Sequence, residues 1–223
     1  MRDLTHFEGC QRPERRILEG QWCRLEPLTA DHQEGLFAVA TAPDAEARFR
    51  WLFETRPADS EAFGTWFDGA VRSDDPLFFA VIDKRTHRVE GRQTLMRIEP
   101  THGVIEIGNI HWGANIARSP VTTEAFFLFA DYVFSTLGYR RFEWKCNNRN
   151  GPSKRAAERF GMTFEGVFRQ ALVVKGENRD TAWYSLLDHE WLALKPAFEA
   201  WLSADNFDVD GGQKKTFKQV RGG

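Results

Sequence analysis

Hydrophobic positions along the chain recur with two periods, two residues and about 3.6, and the switches between them mark strands and helices. Trp22–Leu28 alternates as a strand, and Asp31–Ala40 follows at helical spacing with Thr29 as its candidate N-cap. In Ser60–Arg72 the residues Phe63, Trp66, Phe67 and Val71 line one face of an amphipathic helix, which Asp74-Asp75-Pro76 ends. Leu77–Ile82 (LFFAVI) is a nearly continuous apolar run, as in a strand covered on both faces. Val89–Ile98 and Val104–Trp112 read as strands joined by a turn around Pro100–Gly103. The longest helix runs from Pro120 to Leu137 and closes on Gly138. Arg140–Cys146 is a further strand, and Pro152–Phe160 a short helix stopped by Gly161. Met162–Val174 and Thr181–Leu187 pair across the polar turn KGENRD, and Glu190–Leu202 closes the series as a helix with Pro196 a candidate break.

A three-strand meander followed by a βαβ unit implies a mixed α/β (α+β) fold with helices on the faces of one sheet. In such sheets ligands bind beyond strand ends where neighbouring strands diverge, which directs attention to Val104–Gly161. Residues 1–20 are charged and weakly patterned, an N-terminal arm; residues 21–203 form a single domain; no internal repeat appears. Residues 204–223 end in GGQKKTFKQVRGG and are expected to be a disordered tail, the sharper reading being a small patch for an anionic partner.

Composition narrows the class. The 223 residues are 42% apolar, with 19 Phe and 8 Trp to fill a core, and 30 basic against 32 acidic side chains leave a formal charge of −2. That balance lacks the basic surplus of a nucleic-acid binder. No apolar run reaches the length of a membrane span, and the first twenty residues lack a secretory apolar stretch. Three cysteines, Cys10, Cys23 and Cys146, do not suggest a disulfide framework. A soluble cytoplasmic protein is expected.

Familiar catalytic motifs are missing. There is no GxSxG elbow, no P-loop and no GxGxxG; the six His never fall at HxxxH spacing, and CxxC does not occur, so no metal is expected. Two strand–loop–helix segments remain. In the first, Glu106–Ala125, a helix start follows directly after a strand; Thr122, Thr123 and the free amides there would form an anion site, with Arg118 adding a full charge, unless this is an ordinary capped helix. In the second, Phe142–Gly166, Asn150-Gly-Pro-Ser153 opens a helix; Asn150 either offers donor and acceptor to an amide-rich ligand or simply caps.

Together the two segments resemble the GNAT N-acetyltransferases, and most closely their ribosomal-protein (RimJ/RimL-type) branch. The likeness rests on Asn150, Ser153, Ala157, Glu158, Arg159, Gly161 and Phe164-Glu165-Gly166, and it extends from about Trp22 to Trp191. It implies a mixed, mostly antiparallel sheet splayed between two central strands and flanked by helices. It also implies acetyl-CoA as co-substrate and an amine acceptor, which would be a protein N-terminus, an amino acid or a small amine. Glu106–Trp112, with Ile110, His111 and Trp112, would carry the pantetheine arm. Asn115, Arg118, Ser119, Thr122 and Thr123 would hold the pyrophosphate, while Asn150 and Ser153 would flank the thioester. The family loop reads Q-x-x-G-x-G/A, whereas this chain has Asn115-Ile-Ala-Arg118-Ser-Pro120; both glycines are gone and Pro120 has no N–H.

Amide formation needs a base for the ammonium, donors for the oxyanion and an acid for the thiolate. The resemblance makes Glu106 the leading base, against a purely structural salt bridge to Arg97. His111 is second and, by strand parity, on the opposite face. Ser153 is the candidate acid, since Ala157 stands where many relatives have tyrosine. Arg179, Asp180, Trp183 and Tyr184 would rim an acceptor pocket, Asp180 attracting a cationic amine, or serve as turn and core. The Phe126–Phe134 aromatics read as core. A homodimer through edge-strand aromatics and a non-catalytic acyl-CoA-binding module are the further expectations.

Overall fold

The computed structural model describes residues 3–209 and 211–222. Its eight strands form one sheet in the order β1-β2-β3-β4-β5-β6-β8-β7. They are β1 (Leu18–Glu19), β2 (Cys23–Pro27), β3 (Leu77–Asp83), β4 (Arg88–Glu99), β5 (Val104–Trp112), β6 (Arg141–Asn147), β7 (Thr163–Val174) and β8 (Glu177–Leu187). Every pairing is antiparallel except β5–β6. This is the mixed sheet that the element order predicts.

Helices cover both faces. On one lie α1 (Gln33–Thr41), α2 (Ala45–Phe49) and α3 (Ser60–Arg72), packing Leu36, Phe49, Phe63 and Phe67 against Phe78, Ala80 and Ile82 of β3. On the other lie α4 (Pro120–Asp131), α5 (Gly151–Arg159) and α6 (Asp188–Leu202), around a larger core in which Phe126 stacks on Phe160 at 4.4 Å. The Phe126–Phe134 aromatics therefore belong to the core. None of the described helices is long and apolar enough to cross a membrane.

Most predicted elements stand within a residue or two of their expected bounds. The long helix continues past α4 as a π-helical turn over Tyr132–Thr136 before the left-handed Gly138. Thr29 caps a 3-10 turn, Ala30–His32, that leads into α1. Pro196 does not break α6. The five-residue α2 and two-residue β1 are too short for a period to announce them.

The C-terminal segment corrects the expectation of a disordered tail. Phe207 bridges to Gln213, and α7 (Phe217–Arg221) packs on α6, with Phe217 buried and its ring 4.5 Å from Phe198. Single aromatic anchors in a Gly/Lys-rich background gave no periodic signal. Their burial against Phe198 and Trp201 holds the segment down.

Candidate active site

The site is made by a divergence. β5 and β6 pair only from Val104–Ile107 to Arg141–Trp144, after which both strands continue without each other. A bulge at Asn109, in the left-handed region at φ 48°, bends β5 away from its neighbour. The buried Arg92 guanidinium fixes that bend: it donates to the Asn109 carbonyl at 2.9 Å, pairs with Glu54 and lies over the Trp66 ring. A cleft of about 670 Å³ opens between the strands.

The bulge also overturns the parity argument. One extra residue between Glu106 and His111 puts both on the same sheet face. The two are nevertheless apart: the His111 ring packs on Phe49 at 4.8 Å and lines a separate 290 Å³ cavity beneath α1 and α3. Burial, helped by Arg92 and Arg48, pulls its pKa down to about 3. An imidazole that weakly basic, facing away from the cleft, is a poor proton acceptor for an amine.

Glu106 does face the cleft. Its carboxylate accepts from Lys145 at 2.8 Å and meets Arg97 at 3.1 Å, so the expected ion pair to Arg97 is present and Lys145 joins it. Burial raises the Glu106 pKa against the opposing pull of these cations. Lys145 is shared with Glu143 at 2.6 Å and lies 3.8 Å from the Trp183 ring centroid. The sequence reading missed Lys145, although the β5–β6 register, with Glu106 opposite Glu143, puts it on the same face.

On the opposite wall, Asn150 caps α5, its side-chain oxygen accepting from the Ser153 amide at 3.2 Å. Ser153 accepts from the Trp144 indole N–H at 2.9 Å, and its own O–H, which can donate, lies against the Cys146 sulfur. Both residues line the cleft, as do Ile110 and Trp112. Cys146 lines it too, but burial raises its thiol pKa.

The loop after β5 lies outside the enclosed cleft, and most of its side chains are already engaged. Asn115 donates to Glu90, Ser119 to the Ile116 carbonyl and Thr122 to the Ser119 carbonyl, while the buried Thr123 hydroxyl accepts from Arg159. Arg118 makes no ion pair among the described residues and stands at φ 60°, so it adopts the left-handed backbone at a position where the motif expects glycine. Ser119 gives α4 no side-chain cap, and the first amides of that helix are left for an anion together with Arg118.

On β8, Arg179 and Trp183 line the cleft, whereas Tyr184 is in the core. Asp180 corrects the expectation that it would draw in an amine. Its carboxylate is spent on the Gln170 amide and the Asn178 side chain, and it does not line the cleft.

A strand pair splayed at a bulge, with an uncapped helix start beside it and a buried carboxylate on its wall, defines an acyl-transfer domain of the GNAT type. Residues 23–163 match the acetyltransferase (GNAT) domain family, and the chain belongs to that family. A crystal structure of a GCN5-related N-acetyltransferase from Brucella melitensis is 60% identical, covers 98% of this chain and 100% of its own, and superposes with a TM-score of 0.97. A probable GNAT-family acetyltransferase from Chromobacterium violaceum is 35% identical over 86% of this chain and 96% of its own, with a TM-score of 0.79. The uncharacterized N-acetyltransferase p20 of Bacillus licheniformis is 32% identical over 117 residues, which is 51% of this chain and 63% of that relative.

Proposed function

We propose that the protein is an acetyl-CoA-dependent N-acetyltransferase that acetylates a primary amine by direct attack in a ternary complex. The observation that carries this reading is the splayed cleft, with Glu106 on one wall and Ser153 on the other. The pantetheine arm lies along the β5 backbone that β6 leaves unpaired, past Ile110 and Trp112. The pyrophosphate meets Arg118 and the α4 amides, and the thioester carbonyl reaches Asn150.

Glu106 takes one proton from the ammonium. The freed amine attacks the carbonyl carbon and forms the N–C bond, nitrogen gives up its second proton to solvent, and the C–S bond breaks. Ser153, held by Trp144, donates to the departing thiolate and is reprotonated from solvent. Direct attack is favoured over an acyl-enzyme because the one cysteine of the cleft, Cys146, is a buried thiol with a raised pKa.

Within the family we place the chain nearest the ribosomal-protein branch, on the Asn150–Gly166 motif. A ribosomal-protein alanine acetyltransferase from Vibrio fischeri shares the fold at 15% identity, and the acceptor has to be read from this chain's own cleft. Three free thiols support a cytoplasmic setting, and the exposed Phe164 and Val173 on edge strand β7 offer a face to a second copy. We assign residues 21–203 as the catalytic domain.

Acetyl-CoA with a broad amine panel is expected to release free thiol, detected with a disulfide reagent. Thermal stabilisation by coenzyme A without thiol from any amine would leave the non-catalytic acyl-CoA-binding module instead. Ser153→Ala is expected to lower kcat about tenfold, less than most general acids because a thiolate already leaves readily. Steady-state kinetics in which Ser153→Ala keeps full kcat would remove the acid role.

A further inference from the structure

Strand β8 presents three alternate residues, Arg179, Thr181 and Trp183, to the cleft. The Arg179 Nε, the Thr181 hydroxyl and the Trp183 indole nitrogen are all buried and have no hydrogen-bond partner. Arg179 is only 7% exposed and has no ion pair among the described residues; its guanidinium lies over the Phe53 ring at 4.6 Å. The other cations of the cleft are engaged: Arg97 and Lys145 by Glu106, and Arg48 by Asp44. One buried positive charge and two buried donors thus lie in a row along one wall of the cleft without an acceptor. A fold does not keep such groups unpaired without cost unless something else completes them.

The surroundings specify what completes them. The guanidinium fork fits carboxylate and phosphate alike, but a single buried positive charge balances a monoanion such as a carboxylate, whereas a phosphate dianion would leave a net buried negative charge. Phe53, Phe168 and Leu172 line the same cleft as apolar wall, and Phe168 stacks on Trp183 at 4.5 Å. Arg179 and Glu106 are close enough to feel one another's charge, which suits an acceptor whose amine and carboxylate are separated by a short chain. Arg179 also lines an adjoining polar pocket of 660 Å³, where Arg50, Arg56, Arg149 and Lys175 outnumber Asp44, Glu46 and Glu177 and leave a modest positive excess for an entering anion.

We propose that Arg179, with Thr181 beside it, forms the receptor for a carboxylate on the acceptor, which makes the acceptor a free amino acid with an apolar side chain rather than a protein N-terminus. The inference rests on the N-acetyltransferase reading above. In a peptide the α-carboxylate is replaced by an amide, which leaves Arg179 as unpaired as before.

The test compares phenylalanine and leucine with their amides and decarboxylated amines, using the full chain, acetyl-CoA and thiol release. The acids are expected to exceed the amides in kcat/KM by at least about 30-fold. Arg179→Gln is expected to collapse that ratio to near one. Equal rates for acids and amides in the unsubstituted protein, a preference for the aminophosphonate analogue, or a ratio that survives Arg179→Gln would each overturn the proposal. Calorimetry with N-acetylphenylalanine and its amide, in the presence of coenzyme A, separates the two readings. Binding of the acid alone without turnover of any amine supports the carboxylate receptor and sinks acetyl transfer. Turnover of amines without discrimination in binding or rate does the reverse.

Discussion

Glu106→Gln is expected to lower kcat by about 10²–10⁴, the usual contribution of a positioned base, or about 3–5 kcal/mol on the barrier. The substitution preserves shape and a hydrogen-bond acceptor while removing the only property a base needs. It is also tolerable for the fold, because Lys145 keeps Glu143 at 2.6 Å and Arg97 is half-exposed to water. A purely structural Glu106 would therefore show nearly full kcat in the Gln variant, and that result would refute the base assignment.

The pH profile supplies a second readout. A base must be ionised, so kcat/KM falls as pH drops through the Glu106 pKa. Burial sets that value above the ordinary carboxylate range, so the acid limb is expected at higher pH than an exposed glutamate would give. Stability carries the opposite sign. The fold favours the protonated carboxyl, so stability is highest below the ordinary value and falls as pH rises through the raised one. Glu106→Gln should lose both dependences, the first in steady-state rates and the second in urea melts across pH.

The mixed sheet and most of its elements were legible in sequence because each rests on a period sustained over several residues, while the splay of its central strands came from the resemblance. What escaped was set by single residues out of rhythm. Asn109 inserts one residue into β5 and moves His111 to the face of Glu106, although alternation alone puts them on opposite faces. The loop side chains Asn115, Ser119, Thr122 and Thr123 are chemically suited to a phosphate, yet Glu90, nearby carbonyls and Arg159 engage them first. Residue type suggested which groups could bind; only packing showed which remained free. Arg179 illustrates the converse: composition treats it as one of 30 basic residues, and burial without a partner singles it out.

Glu124→Ala is expected to cost about 3–5 kcal/mol of stability, comparable to stranding one side of a buried charged pair, and to lower Tm by about 10 °C. Glu124 belongs to α4 but acts on the chain that enters β2. Its two carboxylate oxygens accept the amides of Gln21, Trp22 and Cys23 at 2.8, 2.6 and 2.6 Å, and its side chain is buried. Alanine would leave three donors without partners, the Cys23 amide fully buried and the other two half-buried, so the Cys23 loss is the most expensive. The residue before them is Gly20, where any Cβ would run into the same carboxylate. Gly20→Ala is therefore also expected to destabilise the fold, by displacing that carboxylate from its amides. Combined, the two changes should cost less than their sum, since the collision disappears with the carboxylate. Calorimetric melting of the two single variants and the double variant decides it: strict additivity, or a Glu124→Ala protein that melts with the unsubstituted chain, would mean that these short hydrogen bonds do not hold the entering strand to α4.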